Sequence, residues 1–393
     1  MKVLLTIFCF ITIINISNAQ VILQGSVKDA STGLAIPLAS VTLKDNAQGT
    51  ITNEDGAFII TAKTLPVTLT ISHLSYAPET IIVNKEAAIA IALKLKTTTL
   101  AEVTVGNPAL TIMRLASEKA AKTFKNSYYP QVFFRQLMTE DNKPTFFAES
   151  FMDAQWQMYG LTRYNFNNSR YIEQKGTITY RNLAAFSFLC SGYTNGAIIH
   201  PINHNPDSVY KFTLKGTFRD KGHEIAIIGC EVKLTDFKKS AFVGDYYVDT
   251  ENYNVLKTDG TISGFKMKAS GIFNITLKEL HLVSQYKLDA DSNSVLDFSV
   301  FTLISNLKAG FVGVKPLAYT TKLVALSYNE PADKSKFMDV SITSLEQDQD
   351  RFKNIPYDAN FWKKNDVIKR TAEEDVAVAA LEKSKNVKGN LNN

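Results

Sequence analysis

The chain has 393 residues, a net charge of +5 and 45% hydrophobic residues, among them 24 Phe and 16 Tyr. A polypeptide of this length holds two or three domains. Its lysines and arginines are scattered, so the positive charge gives no indication of a nucleic-acid partner. The many aromatic residues in alternating patterns favour a β-rich protein.

The first 19 residues have the three parts of an export signal. Lys2 provides the positive start, Val3 to Ile14 form an apolar run, and Ser17 to Ala19 form a small-x-small cleavage site. The alternative is a short membrane anchor, but crossing a bilayer takes roughly 20 apolar residues. We expect residues 1–19 to be a signal peptide cleaved before Gln20. The mature protein would then be periplasmic, associated with the outer membrane, or secreted.

Two cysteines, Cys190 and Cys230, follow the signal peptide. An oxidising compartment permits a disulfide between them. Two separate buried thiols are the alternative, and the sequence leaves both open.

From Val21 onward, short β-type runs alternate with turns. In the segment GTITNEDGAFII at 49–60, the turn-forming residues Asn53 to Gly56 separate two apolar runs. Asn and Asp bond to their own backbone and Gly accepts positive φ, so the pattern predicts a hairpin joining GTIT to AFII. Glu54 and Asp55 suggest calcium as an alternative, but two carboxylates fall short of the six or more oxygens that calcium takes.

The order of GSVKDASTGLAIPLASVTLK, GTITNEDGAFII and LTISHLSY resembles the carboxypeptidase-regulatory-like domain over about residues 21–95. That resemblance implies a small prealbumin-like β-sandwich of the kind found at the front of many Gram-negative envelope proteins. The family usually has Thr-Asp in the turn where this chain has Thr52-Asn53, and Gly-Tyr where it has Ser75-Tyr76. The segment from Leu100 to Val105, LAEVTV, resembles the segment that closes this domain.

The family name does not imply peptidase activity here. None of the five histidines, at 73, 200, 204, 223 and 281, has Glu three residues later, and no His-Glu-x-x-His occurs. The sequence therefore implies no zinc and no other cofactor.

A helix is predicted after the front domain. Asn107 is a candidate N-cap with Pro108 at the first helical position. Apolar residues recur every fourth position and predict a stripe that packs against a sheet. The stripe comprises Ile112, Ala116, Ala120 and Phe124, backed by Leu115.

From about Pro130 to Tyr328 the sequence is strand-like, and FVGDYYVDTENYNVLKTDGTIS contains a strand, a turn at Asp249 to Asn252 and a returning strand. This portion resembles the periplasmic part of envelope proteins that carry the same front domain. Their half-barrel sheet is similar to that of lipoprotein-carrier proteins, which implies a concave apolar face that holds an acyl chain.

The C-terminal tail has a predicted capping box, Thr371 with Glu374, followed by an apolar face of Val376, Ala380 and Leu381. We expect Phe361 and Trp362 to clamp the tail onto the body. The last residues, KNVKGNLNN, are expected to be disordered.

Two groups of residues could support chemistry. His200 and His204, followed by Asp207, could bind a metal if their loop folded back, although Pro201 and Pro206 prevent a helix from aligning them. The alternative is a solvated loop.

Glu149 and Asp153 share one face of a strand, so burial could raise the pKa of one carboxyl for acid–base work. The alternative is a wetted strand face. Neither Gly-x-Ser-x-Gly nor a phosphate-binding glycine loop is present.

The sequence thus predicts a mainly β, or α+β, protein. An N-terminal prealbumin-like β-sandwich is followed by a curled antiparallel half-barrel-like sheet packed on a helix, and then by a helical C-terminal tail. The predicted boundaries are a signal peptide at 1–19, the sandwich at 20–96, a linker at 97–107, the α+β domain at 108–345 and the tail at 346–393.

The predicted function is non-catalytic binding or docking in the periplasm or at the outer membrane, with an envelope protein or an apolar, lipid-like ligand as partner. No catalytic, cofactor or metal residue is assigned. The alternative is a hydrolase that uses Glu149, Asp153 or the loop of His200 and His204.

Overall fold

The structure is a computed structural model. It describes residues 20–44, 49–100, 106–158, 160–177, 198–233, 239–265, 273–309, 317–331, 333–339, 351, 354–365 and 368–391. The predicted signal peptide and Cys190 lie outside these residues.

The front of the chain folds into a two-sheet sandwich. Its strands are β1 (Val21–Asp29), β2 (Ser40–Leu43), β3 (Gly49–Ile51), β4 (Ala57–Ala62), β5 (Val67–His73), β6 (Tyr76–Val83) and β7 (Ile89–Leu93). One sheet has the order β4-β1-β7 and the other β3-β2-β5-β6. Alternate apolar residues of both sheets, such as Val27, Phe58 and Leu69, are fully buried between them. The sandwich prediction is confirmed.

The predicted hairpin at residues 49–60 is wrong. The turn itself forms, with Gly56 at φ +70° and the Asn53 side-chain oxygen accepting from the backbone N–H groups of Asp55 and Ala57. However, β3 pairs with β2 and β4 pairs with β1, so the turn carries the chain from one sheet to the other. Apolar residues at every second position indicate a half-buried strand, but they do not identify the strand with which it pairs.

The rest of the chain builds one large sheet. Its strands are β8 (Thr99–Leu100), β9 (Pro130–Glu140), β10 (Lys143–Gln157), β11 (Gly160–Gln174), β12 (Ile198–Ile199), β13 (Tyr210–Asp220), β14 (His223–Val232), β15 (Ser240–Asp249), β16 (Val255–Ser263), β17 (Phe273–Leu288), β18 (Ser294–Ala309), β19 (Leu317–Pro331), β20 (Met338–Asp339) and β21 (Val387–Gly389). The main order is β20-β11-β10-β9-β19-β18-β17-β16-β15-β14-β13-β8, with β12 on β15 and β21 on β11. The long neighbouring strands are antiparallel and the sheet is curled, as predicted.

Within the described residues, three helices and two short 3-10 helices accompany the sheet. They are α1 (Pro108–Thr123), α2 (Ala359–Lys364) and α3 (Ala372–Glu382), with the 3-10 helices at Pro206–Ser208 and Lys334–Lys336. The predicted cap of α1 is confirmed, because the Asn107 side chain accepts from the N–H of Leu110. The predicted capping box of α3, Thr371 with Glu374, is also confirmed.

The buried faces of the two longer helices differ from the predicted stripes. In α1 the buried residues are Ala109, Met113, Ala116, Ser117 and Ala120. The spacing of four used in the prediction drifts from the true period of 3.6, which moves the stripe to the Met113 side of the helix. In α3 the buried residues are Ala377, Val378 and Leu381, while Val376 is 71% exposed.

The described residues of the last segment, up to Leu391, are ordered where we expected disorder. Val387–Gly389 pair with β11 as strand β21. The Asn390 side chain then accepts from the N–H of Tyr171 and donates to the carbonyl oxygen of Ser169. These hydrogen bonds pair backbone groups at the edge of β11 that would otherwise have no partner strand there.

Candidate functional site

The inner face of the large sheet is the face that packs on α1. The small side chains of Ala109, Ala116 and Ala120 bring the helix close to the sheet, and aromatic residues such as Phe134 and Phe242 fill the remaining space. Close packing of this kind leaves few voids. A cleft of about 80 Å³ remains beside the C-terminal half of α1, lined by residues that include Trp156, Tyr286 and Leu296. Ligand sites are usually about 300–1,000 Å³. The inner face in this conformation therefore has no room for an acyl chain at that cleft.

The outer face is covered by the sandwich and by the C-terminal segment, which we define as the described residues from 354 to 391. A cross-strand row of apolar side chains lies at the contact: Phe151, Phe133, Leu326 and Phe298. Ile51 of β3 packs on this row together with Trp362 and Ile368 of the C-terminal segment. The predicted clamp at Phe361 and Trp362 is confirmed, since both rings contact Phe151 at centroid distances of 5.0 and 5.7 Å.

Glu149 lies at the centre of the outer face and is 1% exposed. Arg135 and Arg170 flank it on the neighbouring strands, with N–O distances of 2.7 and 2.6 Å, and Arg370 of the C-terminal segment reaches it at 3.0 Å. Burial alone would raise the pKa of the Glu149 carboxyl, but the charges of Arg135, Arg370 and Arg170 together hold the pKa well below its usual range.

The same cluster fixes the C-terminal segment. Arg135 also contacts Glu374 of the capping box at 3.3 Å and donates to the backbone oxygen of Ile368. The guanidinium of Arg370 lies 4.8 Å from the ring centroid of Phe147, a cation–π distance. We call Arg135, Glu149, Arg170, Arg370 and Glu374 the arginine cluster.

The arginine cluster contradicts a catalytic role for Glu149. A general acid or base at neutral pH needs a pKa near the working pH, and the pKa of Glu149 is shifted in the opposite direction. Asp153 shares the face, as predicted, but it is buried and accepts from Gln131 at 3.3 Å. The three arginines were not among the candidate residues predicted from the sequence. The available signal was a charged residue within an apolar strand, as in QVFFRQLMT around Arg135.

The predicted histidine pair is not brought together as a site. His200 is fully buried, stacks on Phe242 at 5.8 Å and lies 3.4 Å from the Tyr246 hydroxyl, while His204 is exposed. Burial lowers the pKa of His200 to about 3. Asp207 instead pairs with Arg114 of α1 at 2.6 Å. Among the described residues, no group of three or more His, Cys, Asp or Glu side chains is arranged to hold a metal.

Cys230 is buried with a free thiol, and burial raises its pKa well above the usual value. Because a thiol and not a thiolate is then favoured, Cys230 has no nucleophilic character.

The turn at Asn53 to Gly56 connects the sandwich to the C-terminal segment. The Asn53 amide donates to the backbone oxygen of Arg370 at 3.1 Å, and the Asp55 carboxylate accepts from the N–H of Ala372 at 3.2 Å. Ala372 is the first residue of α3, where free N–H groups and the helix dipole favour a negative charge. The donation to Arg370 also explains the departure from Thr-Asp in this turn, because an aspartate at position 53 has no amide to donate.

A second contact between the sandwich and the large sheet encloses a polar cleft of about 470 Å³, which we call the interdomain cleft. Lys96 of the sandwich binds two residues of the cleft lining, Asp220 at 2.7 Å and the backbone oxygen of Leu74 at 2.8 Å. The sandwich wall includes Ser40, Ser72, His73 and Tyr76. The sheet wall includes Lys221, His223, Asp249, Asn252, Lys287 and Asp297.

Comparison with known protein families gives a match for the front of the chain. Residues 23–105 match the model of the CarboxypepD_reg-like domain, which confirms the resemblance of the front domain and extends it to Val105. A search of curated proteins gives no match. Among the described residues, no helix is long and apolar enough to cross a membrane.

Three solved structures are among the matches to this chain. A membrane-associated protein of unknown function from Bacteroides fragilis NCTC 9343 is 10% identical, with 80% of this chain and 99% of that chain covered and a TM-score of 0.17. A DUF1329 family protein from Desulfovibrio piger ATCC 29098 is 10% identical, with 61% and 96% covered and a TM-score of 0.24. A LolA superfamily protein from Nitrosomonas europaea is 8% identical, with 61% and 98% covered and a TM-score of 0.21. At these TM-scores the matches do not bear on what this chain binds.

Proposed function

We propose that this protein is a non-catalytic docking protein of the cell envelope, periplasmic or associated with the outer membrane. Its sandwich would present a surface to a partner protein, and the large sheet would act as the rigid body that carries it. The limits of the units, with the sandwich at 20–96 and the second unit at 108–345, belong to the same proposal.

The distribution of exposed apolar side chains carries this proposal. Six large hydrophobic residues are the most exposed in the described part of the chain, and four of them lie in the sandwich: Ile22, Leu34, Ile82 and Leu95. Ile82 is 66% exposed on β6, the strand at the end of its sheet. Exposed apolar groups on an edge strand are typical of a contact with another protein.

The two rival functions have less support. An apolar ligand would need more room than the roughly 80 Å³ beside α1. A hydrolase using Glu149 would need a carboxyl whose pKa is not held low by three arginines.

A capture experiment tests the proposal. Full-length tagged protein would be crosslinked in the envelope of the cell that makes it, as wild type, as the double variant Ile82→Asp/Leu95→Asp, and as Val376→Asp. Val376 is the matched control because it is equally exposed, at 71%, but lies on α3. We expect one envelope protein to be captured by the wild type and Val376→Asp and lost with the double variant. Equal capture by all three, or a stoichiometric acyl lipid in native mass spectra, would contradict the proposal.

A further inference from the structure

The interdomain cleft has the size and position of a small-molecule site. Its volume of about 470 Å³ lies within the usual range of about 300–1,000 Å³, and such sites occur preferentially where domains meet. Its two walls are joined by the ion pair of Lys96 with Asp220, and Ile51 packs the sandwich onto the outer face of the sheet. The cleft is therefore a built feature of the assembled molecule.

Three acidic side chains, Asp220, Asp249 and Asp297, line the cleft together with Lys221, Lys287 and His223. His223 contacts Asp249 at 2.7 Å, and Lys287 lies 3.7 Å from Asp297. Asp220 is bound by Lys96. A ligand with a net charge would have to compete with these pairs, so the electrostatics favour a neutral ligand.

Lys287 and Asp297 lie beside each other in the cleft, and each has one further partner: the Lys287 ammonium donates to the backbone oxygen of Ser327 at 3.2 Å, and the Asp297 carboxylate accepts from the Gln285 amide at 3.4 Å. The separation of 3.7 Å between Lys287 and Asp297 is longer than a hydrogen bond. Burial raises the pKa of the Asp297 carboxyl and lowers that of the Lys287 ammonium, so each charged group would gain from one more hydrogen bond. A hydroxyl group both donates and accepts, so one hydroxyl can bridge a carboxylate and an ammonium without adding charge.

The rest of the lining suits the same chemistry. Ser40 and Ser72 are cross-strand neighbours on the sandwich wall and bring two hydroxyls side by side, and Asn252 adds an amide opposite. His73 and Tyr76 form an edge-to-face ring pair at 5.2 Å, which offers an apolar surface to the C–H face of a ring. Burial lowers the pKa of His73 to about 4, so its ring is neutral at physiological pH.

We propose that the interdomain cleft binds a neutral polyhydroxylated ligand, a mono- or disaccharide, with its hydroxyl groups bridging Lys287 and Asp297. This site goes beyond the docking function and does not depend on it, because none of the four exposed apolar residues of the sandwich lines the cleft.

Calorimetric titration of the full-length mature protein tests the site. The probes are glucose, galactose, N-acetylglucosamine and maltose, with glucuronate as a charged sugar and glycylglycine as a zwitterion. We expect saturable binding of at least one neutral sugar. We expect no binding of glucuronate or glycylglycine. Binding of only glucuronate or glycylglycine, or no saturation by any neutral sugar, would overturn the proposal.

Three variants localise the binding. Asp297→Ala removes one end of the bridge and should weaken binding about tenfold, the loss expected for a hydrogen bond to a charged group. Ser72→Tyr fills the cleft from the sandwich wall, so it tests the site even if Asp297→Ala destabilises the fold. Asp245→Asn is the matched control, because Asp245 pairs with Lys215 at 2.6 Å on the same sheet without lining the cleft. Sugar binding that survives Ser72→Tyr unchanged would also overturn the proposal.

Discussion

Glu149 is the residue on which the outer face depends most. A buried carboxylate between three guanidinium groups gains much from each neighbour, but Glu149 and Arg135 have been removed from water and Arg170 and Arg370 keep only 14% and 22% of their side-chain surface exposed. A buried ionic group of this kind adds little compared with apolar packing, yet removing one member is costly because the others remain buried and unpaired. The cluster thus makes one arrangement of the C-terminal segment much more favourable than a misplaced one.

Replacing Glu149 with glutamine tests this reasoning. The substitution keeps the shape and removes the charge, so at pH 7 the free energy of unfolding should fall by about 3 kcal/mol in urea denaturation. Glu79→Gln, on the exposed side of β6, is the matched control and should stay within about 0.5 kcal/mol of the wild type.

The stability that Glu149 contributes should depend on pH in a definite direction. Because the pKa of Glu149 is lower in the folded protein, its contribution is present above the unfolded pKa of about 4.3 and is lost as pH falls below it. The difference in free energy of unfolding between the wild type and Glu149→Gln should therefore decrease by about 1.4 kcal/mol per pH unit below pH 4.3. If this difference in free energy of unfolding did not change between pH 7 and pH 3, the charge of Glu149 would not stabilise the folded protein.

At the residue scale the sequence revealed candidate residues but not their surroundings. Glu149 and Asp153 share a strand face, which alternation predicts correctly. That Arg170 and Arg135 lie on either side of Glu149 depends on the registers of β11 and β9 against β10. Arg370 is 221 positions away in the chain. A pattern within one short segment does not reveal a contact between residues so far apart in the sequence.

At the scale of elements, the sandwich turn at Asn53 to Gly56 and the first turn of α3 stabilise each other. Thr371 caps α3 from within its own segment, while Asp55 binds the N–H of Ala372 from the sandwich. The sequence predicted the capping box because its two residues are three positions apart. It did not predict the contact of Asp55, which bridges 317 positions of the chain.

Asp55→Ala should loosen the start of α3 without disturbing the sandwich. A carboxylate at a helix N-terminus stabilises by about 0.3–1 kcal/mol, so the first-turn amides of α3 should exchange with solvent about twofold to fivefold faster. Hydrogen–deuterium exchange with mass spectrometry measures this. Asp291→Ala, in the exposed turn between β17 and β18, is the control. Unchanged exchange in α3, or faster exchange throughout the sandwich, would contradict the proposed contact.

At the scale of the whole molecule, the sandwich and the large sheet form a shared core through Ile51. This residue is 2% exposed and belongs to the cluster of Phe133, Phe298 and Trp362, not to the core between the two sheets of the sandwich. The fold class of each unit could be predicted from strand periodicity and the family resemblance. Their contact could not, because Ile51 has the same alternating pattern whether its outer side faces solvent or a second domain.

Ile51→Asp should separate the two units while leaving each one folded. Burying an unpaired carboxylate in the contact costs several kcal/mol, so the docked arrangement should be lost before the sandwich core is affected. We expect the single calorimetric unfolding transition of the wild type to split into two. Trp362, which is 3% exposed, should become accessible and shift its fluorescence to longer wavelength. Ile82→Asp makes the same change at a position that is 66% exposed and should leave both signals unchanged. If Ile51→Asp instead kept a single transition and a buried Trp362, the two units would not be joined through this cluster, and the rigid body on which the docking function relies would be lost with it.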